Sequence, residues 1–91
     1  MKSINVTIIG AGLMGHGIAL KFAQSKHKVT VFDPNESVLE TLEERIKISL
    51  NQMDVSKLDT KHTLSLIDKK NDMALSLTNA DLVIEAVPEK L

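Results

Sequence analysis

Two apolar periods alternate along this chain, and the switches between them predict its elements. Ile4, Val6, Ile8 and Ile9 make a short apolar run that stops at glycine, as in a buried strand over about residues 3–9. Met14, Ile18 and Phe22 then recur at helical spacing, predicting a helix from about Leu13 to Ser25. Lys26, His27 and Lys28 follow, cations suited to a helix C-terminus. Val29 to Phe32 is a second apolar run, a strand over about 28–32, and Asp33-Pro34-Asn35 signals a turn. Ser37 and Glu40 have capping-box spacing and would open a second helix. Its apolar face is Leu39, Leu42, Ile46, Leu50 and Met53, spaced by three and four. Glu43 and Lys47 add an i,i+4 pair worth only about 0.2–0.5 kcal/mol.

The second half is less regular. Residues 54–62 are polar and read as a loop or a short turn of helix. Thr63 to Ile67 is a candidate third strand, and Asp68 to Asp72 a charged, solvated loop. Asp72 is placed to cap a short helix over Met73 to Thr78. Asp81 to Val87 reads as a fourth strand, ended by Pro88.

The chemistry lies at the first switch of period. Gly10-Ala11-Gly12-Leu13-Met14-Gly15 is a G-x-G-x-x-G between a strand and a helix, and the second strand ends in Asp33, 21 residues after Gly12. A dinucleotide site needs this order. The first glycine permits the tight turn, the second lets backbone approach a pyrophosphate, and the third lets the helix pack closely on the strand. Open N–H groups and the helix dipole then favour the phosphates. Asp33 would accept hydrogen bonds from the adenosine ribose and repel a 2′-phosphate. Pro34 and Asn35 offer no cation for that phosphate, which favours NAD over NADP. FAD is the alternative ligand, and an ordinary strand-to-helix turn the plainer reading. The βα alternation implies an α/β fold: the first half of a Rossmann-type parallel sheet, strand order 3-2-1-4.

Composition narrows the partners. Ninety-one residues, 43% of them hydrophobic, suffice for one small core but not for two βαβαβ halves. A net charge of −1 and two aromatic residues give no case for nucleic acid or an anionic membrane. Asn5, Thr7, His16 and Lys21 interrupt the apolar stretch 4–23, which therefore reads as strand and helix rather than a targeting segment. Without cysteine there is no disulfide framework or thiolate nucleophile, which suits a cytoplasmic location.

Three segments carry a family resemblance: Ile8 to Ala19 (with Leu13-Met14-Gly15 and Gly17-Ile18-Ala19), Val31-Phe32-Asp33-Pro34, and Ala80 to Glu89. Together they resemble the N-terminal domain of the 3-hydroxyacyl-CoA dehydrogenases. The resemblance implies that residues 1–91 are the N-terminal part of the dinucleotide-binding domain, the rest of it and a C-terminal helical domain lying elsewhere. It implies NAD held by Gly10, Ala11, Gly12, Leu13, Met14, Gly15 and Asp33, with Glu89 near the nicotinamide. Ser49 falls where some members contact CoA. The substrate would be a small molecule, an acyl-CoA, and the parent a homodimer. The short span between Asp33 and Glu85, together with Val87-Pro88-Glu89, keeps a small non-CoA hydroxy acid or carnitine open as substrate. A nucleotide-binding module without chemistry is the other alternative.

The family's catalytic His and Glu lie downstream, so no catalytic residue is expected here. His16, His27 and His62 read as surface histidines, and no cluster has metal-ligand spacing. A fourth strand with a bare apolar edge leads us to expect self-association through residues 82–87.

Overall fold

The computed structural model describes residues 2–86. The elements are β1 (Asn5–Ile9), α1 (Leu13–Gln24), β2 (Lys28–Phe32), α2 (Glu36–Gln52), α3 (Lys57–Ser65), β3 (Ile67–Lys70), α4 (Met73–Leu77) and β4 (Leu82–Glu85). The four strands form one parallel sheet in the order β3-β2-β1-β4, as the βα alternation predicts.

Register follows from burial. Val6 pairs with Val29 and Leu82, Ile8 with Val31 and Ile84, and Val29 with Ile67. Val6, Ile8, Val29 and Val31 are buried together with Ala19, Leu20 and Ala23 of α1 and Leu39, Leu42, Ile46 and Leu50 of α2. The predicted stripe of α2 is therefore core, except that Met53 lies past the helix end and is exposed. Thr7 points to the opposite face of β1 from Val6 and Ile8. It is buried there, and its hydroxyl donates to the Ser76 carbonyl at 2.5 Å, tying α4 to the sheet. No described helix is long and apolar enough to cross a membrane.

Several boundaries differ from the sequence reading. Asn35, not Ser37, caps α2: its side-chain oxygen accepts from the Ser37 N–H at 3.0 Å, so Ser37 already lies in the first turn. Residues expected to be loop form α3, because Ser56 caps it by accepting from the Asp59 N–H. That helix runs through Ser65 and takes Thr63, Leu64 and Ser65 from the expected third strand. The strand is instead Ile67–Lys70, built largely from the charged segment read as loop. It is an edge strand with only Ile67 packed on the core, so charge is tolerated along it and guards the edge. Asp72 caps α4 as expected, accepting from the Leu75 N–H. The fourth strand is observed over Leu82–Glu85, with Leu82 and Val83 exposed, and the sequence assigned to its end beyond Ala86 lies outside the described residues.

Two helices end in Schellman motifs that lack glycine. After α1, His27 N–H donates to Phe22 O and Lys26 N–H to Ala23 O, with Lys26 at φ 72°. After α2, Val55 N–H donates to Leu50 O and Asp54 N–H to Asn51 O, with Asp54 at φ 57°. His27 is not a plain surface histidine: its Nδ1 accepts from the Ile4 N–H at 3.1 Å and its ring tilts against Phe22.

A left-handed conformation costs an ordinary L-residue about 1–2 kcal/mol. Lys26→Gly is therefore expected to raise stability by up to about 1 kcal/mol in urea unfolding, glycine's greater freedom in the unfolded chain taking back the rest. A loss of stability would mean that the Lys26 side chain holds the α1–β2 turn by other contacts.

Candidate cofactor site

The site begins where β1 ends. Gly10 has φ 111°, a conformation that favours glycine, and its N–H donates to Phe32 O at 2.7 Å. The turn is thereby bonded to the end of β2. A Cβ at Gly15 would lie 1.8 Å from the Gly10 carbonyl oxygen and 2.8 Å from its carbon. Helix α1 thus rests directly on the turn, and only glycine allows that approach. At Gly12 an added Cβ would meet nothing within 4 Å: the turn has an open side.

Capping marks the same place. α2, α3 and α4 each carry a side-chain cap, from Asn35, Ser56 and Asp72. α1 has none: its N-cap is Gly12, and no acidic residue stands in its first turn. The first N–H groups of a helix have no partner within it. Those of Leu13, Met14 and Gly15 receive no side-chain cap and lie open to an external acceptor. Leu13 and Met14 extend from this end at 84% and 62% exposure, giving the open side an apolar rim.

Asp33 stands beside this opening, partly buried. Its Oδ2 accepts from the Ala11 N–H at 3.0 Å and its Oδ1 from the Asn35 N–H at 2.9 Å. The carboxylate is fixed by two backbone donors, and each oxygen keeps a lone pair for a further donor. Gly10, Ala11, Gly12, Leu13, Met14, Gly15 and Asp33 therefore come together as the sequence indicates. Glu89 lies outside the described residues.

α2 supplies two residues the motif does not include. Arg45 donates from Nη2 to Ala11 O at 2.5 Å and from Nη1 to Gly12 O at 3.3 Å. Ser49, one helical turn on, has its Oγ 3.5 Å from His16 Nε2. His16 is consequently half-buried between α1 and α2 rather than a surface residue, and its buried Nδ1 has no hydrogen-bond partner among the described residues. The available signal was positional: 45 and 49 each follow a core residue, Leu42 and Ile46, by three, so both flank the apolar stripe on one side. Nothing in the spacing says that this flank meets the glycine turn.

A glycine turn under an uncapped helix, with a fixed carboxylate at the end of the next parallel strand, defines a dinucleotide-binding α/β domain. Residues 5–91 match the NAD-binding domain family of 3-hydroxyacyl-CoA dehydrogenase, and the chain belongs to that family. It is 42% identical over 99 residues to a protein of Caenorhabditis elegans named "Probable 3-hydroxyacyl-CoA dehydrogenase", covering 99% of this chain and 32% of that one. It is 35% identical over 96 residues to the mitochondrial hydroxyacyl-coenzyme A dehydrogenase of Mus musculus, covering 96% and 31%. The crystal structure of FadB2 from M. tuberculosis superposes with a TM-score of 0.88 at 35% identity, over 98% of this chain and 33% of that one. The chain thus spans about a third of the length of these three relatives, and the nicotinamide cofactor of the family is NAD.

Gly17 is the fourth glycine and has a different status. A Cβ there would meet nothing within 4 Å, so no close contact with the strand requires it. Gly17→Ala is expected to raise helix stability by about 1 kcal/mol in thermal or urea unfolding. A destabilised Gly17→Ala variant would show that the helix needs glycine there for a reason other than room.

Proposed function

We propose that this chain forms the cofactor-binding part of a dehydrogenase that oxidises a 3-hydroxyacyl-CoA to the 3-ketoacyl-CoA. The hydride passes from the substrate carbinol carbon to NAD and the hydroxyl proton to a base. Residues 1–91 are the N-terminal part of the dinucleotide-binding domain. The base and its partners belong to the two thirds of the relatives that this chain does not span, and no residue here is assigned a catalytic role. The parent is a homodimer in this reading.

Each assigned residue has one task. The N–H groups of the Gly10–Gly15 segment bind the pyrophosphate, and Asp33 accepts from the adenosine ribose hydroxyls. Leu13 and Met14 cover the cofactor with apolar surface, Ser49 contacts the CoA portion of the substrate, and Glu89, which is outside the described residues, is given its nicotinamide role by the family resemblance. NAD supplies the hydride acceptor. The observation that carries this reading is that α1 alone among the described helices lacks a side-chain cap, next to the Asp33 carboxylate held by two backbone N–H groups.

The test is calorimetric titration of the chain with NAD and with NADP, for the unaltered sequence and for Asp33→Ala. Hydrogen bonds to a charged group are worth about 1.5–3 kcal/mol, so Asp33→Ala is expected to weaken NAD binding by roughly 10- to 100-fold. NADP should bind more weakly than NAD to the unaltered chain. Equal affinity for both cofactors, or an unchanged Kd in a folded Asp33→Ala variant, would remove Asp33 from the ribose site. A folded chain that takes up no NAD would overturn the assignment of the turn.

A further inference from the structure

Arg45 is the least explained charge near the turn. Its guanidinium spends its donors on neutral oxygens: Ala11 O and Gly12 O, Val38 O at 3.3 Å from Nη2, and Thr41 Oγ1 at 3.1 Å from Nε. The ion pairs among the described residues are Lys47–Glu43 and Lys70–Asp68, so no described carboxylate neutralises Arg45. It is also half-buried, which makes an unmatched charge more costly than at the surface.

Peptide geometry turns these contacts into a statement about direction. In a trans peptide the C=O and the following N–H point in opposite directions. No described peptide bond is cis. Drawing the Ala11 carbonyl toward Arg45 therefore aims the Gly12 N–H away from α2, while the Gly12 carbonyl, which also accepts from the His16 N–H at 3.0 Å, leaves the Leu13 N–H along the axis of α1. Those are the donors on the open side of the turn. Meanwhile the Ala11 N–H is held by Asp33, so this one residue is gripped by a carboxylate at its nitrogen and by a guanidinium at its oxygen.

We infer that Arg45 is a positioning residue of the dinucleotide site: it sets the Ala11–Gly12 peptide with its N–H outward, braces the Gly12 carbonyl at the start of α1, and places an unpaired positive charge behind the turn, on the side opposite those donors. The inference rests on the assignment of the turn to a dinucleotide. Lysine would supply the charge but not the planar fork that spans two carbonyls.

The discriminating probes are NAD, which carries the pyrophosphate, and adenosine, which carries none. Both are titrated into the unaltered chain, Arg45→Met and Arg45→Lys, at low and high salt. The expected result is NAD binding weakened on the order of tenfold in Arg45→Met and partly restored in Arg45→Lys, with adenosine binding unchanged. The NAD affinity of the unaltered chain should fall with salt more steeply than that of Arg45→Met. If Arg45→Met fails to fold, Arg45→Lys decides alone, by losing NAD affinity while keeping adenosine. Unchanged NAD binding, or equal losses for NAD and adenosine, would make Arg45 a structural staple between α2 and the turn and overturn the inference. Failure of the unaltered chain to bind NAD would instead strike the assignment of the turn itself.

Discussion

The contact on which the rest of the molecule depends is the approach of α1 to the turn that precedes it. With hydrogen at position 15, the helix lies against the Gly10 carbonyl; a methyl group would sit 1.8 Å from that oxygen. The approach puts Ala19 and Ala23 where they are fully buried among Val6, Ile8, Val29 and Val31. The same approach brings the uncapped end of α1 beside the end of β2, where Asp33 stands. Sheet packing and ligand geometry are thus one constraint. Overpacking usually costs about 1–3 kcal/mol, and a small domain has only about 5–15 kcal/mol in total, so the constraint is tight.

Polar contacts then convert a close-packed turn into an oriented one. Asp33 holds the Ala11 N–H from the sheet side, and Arg45 holds the Ala11 and Gly12 carbonyls from α2. A flexible glycine turn would have to be ordered when a ligand arrives, and that ordering would be subtracted from affinity. Here the ordering is done by folding. The absence of an acidic residue in the first turn of α1 keeps its dipole free for a phosphate, whereas α2 and α3 carry Glu36 and Asp59 there.

How much of this was legible depended on whether a local rule or a distant contact decided each feature. The topology, the glycine turn, Asp33 and the cap at Asp72 follow from local signals, and all are found. The Asn35 cap was lost to a competing pattern, since Ser37-x-x-Glu40 has capping-box spacing while Asn35 two residues earlier holds the same donor region. α3 has little apolar periodicity, and β3 is so charged that it read as loop; both are settled by packing at the sheet edge. α2 stops at a left-handed Asp54 rather than a glycine, so no residue type marked the start of the next segment. Arg45 and the His16–Ser49 pair join positions 33 or 34 residues apart, and no periodicity reports such contacts.

In the function proposed, the open N–H groups over Gly10–Gly15, with Asp33, receive the dinucleotide. The most direct test is to follow the backbone amide resonances of the chain while NAD is added. The largest shifts are expected on Gly12 to Gly15 and around Asp33, with little change in α3 and β3. Shifts concentrated elsewhere, or none at saturating NAD in a folded chain, would contradict it.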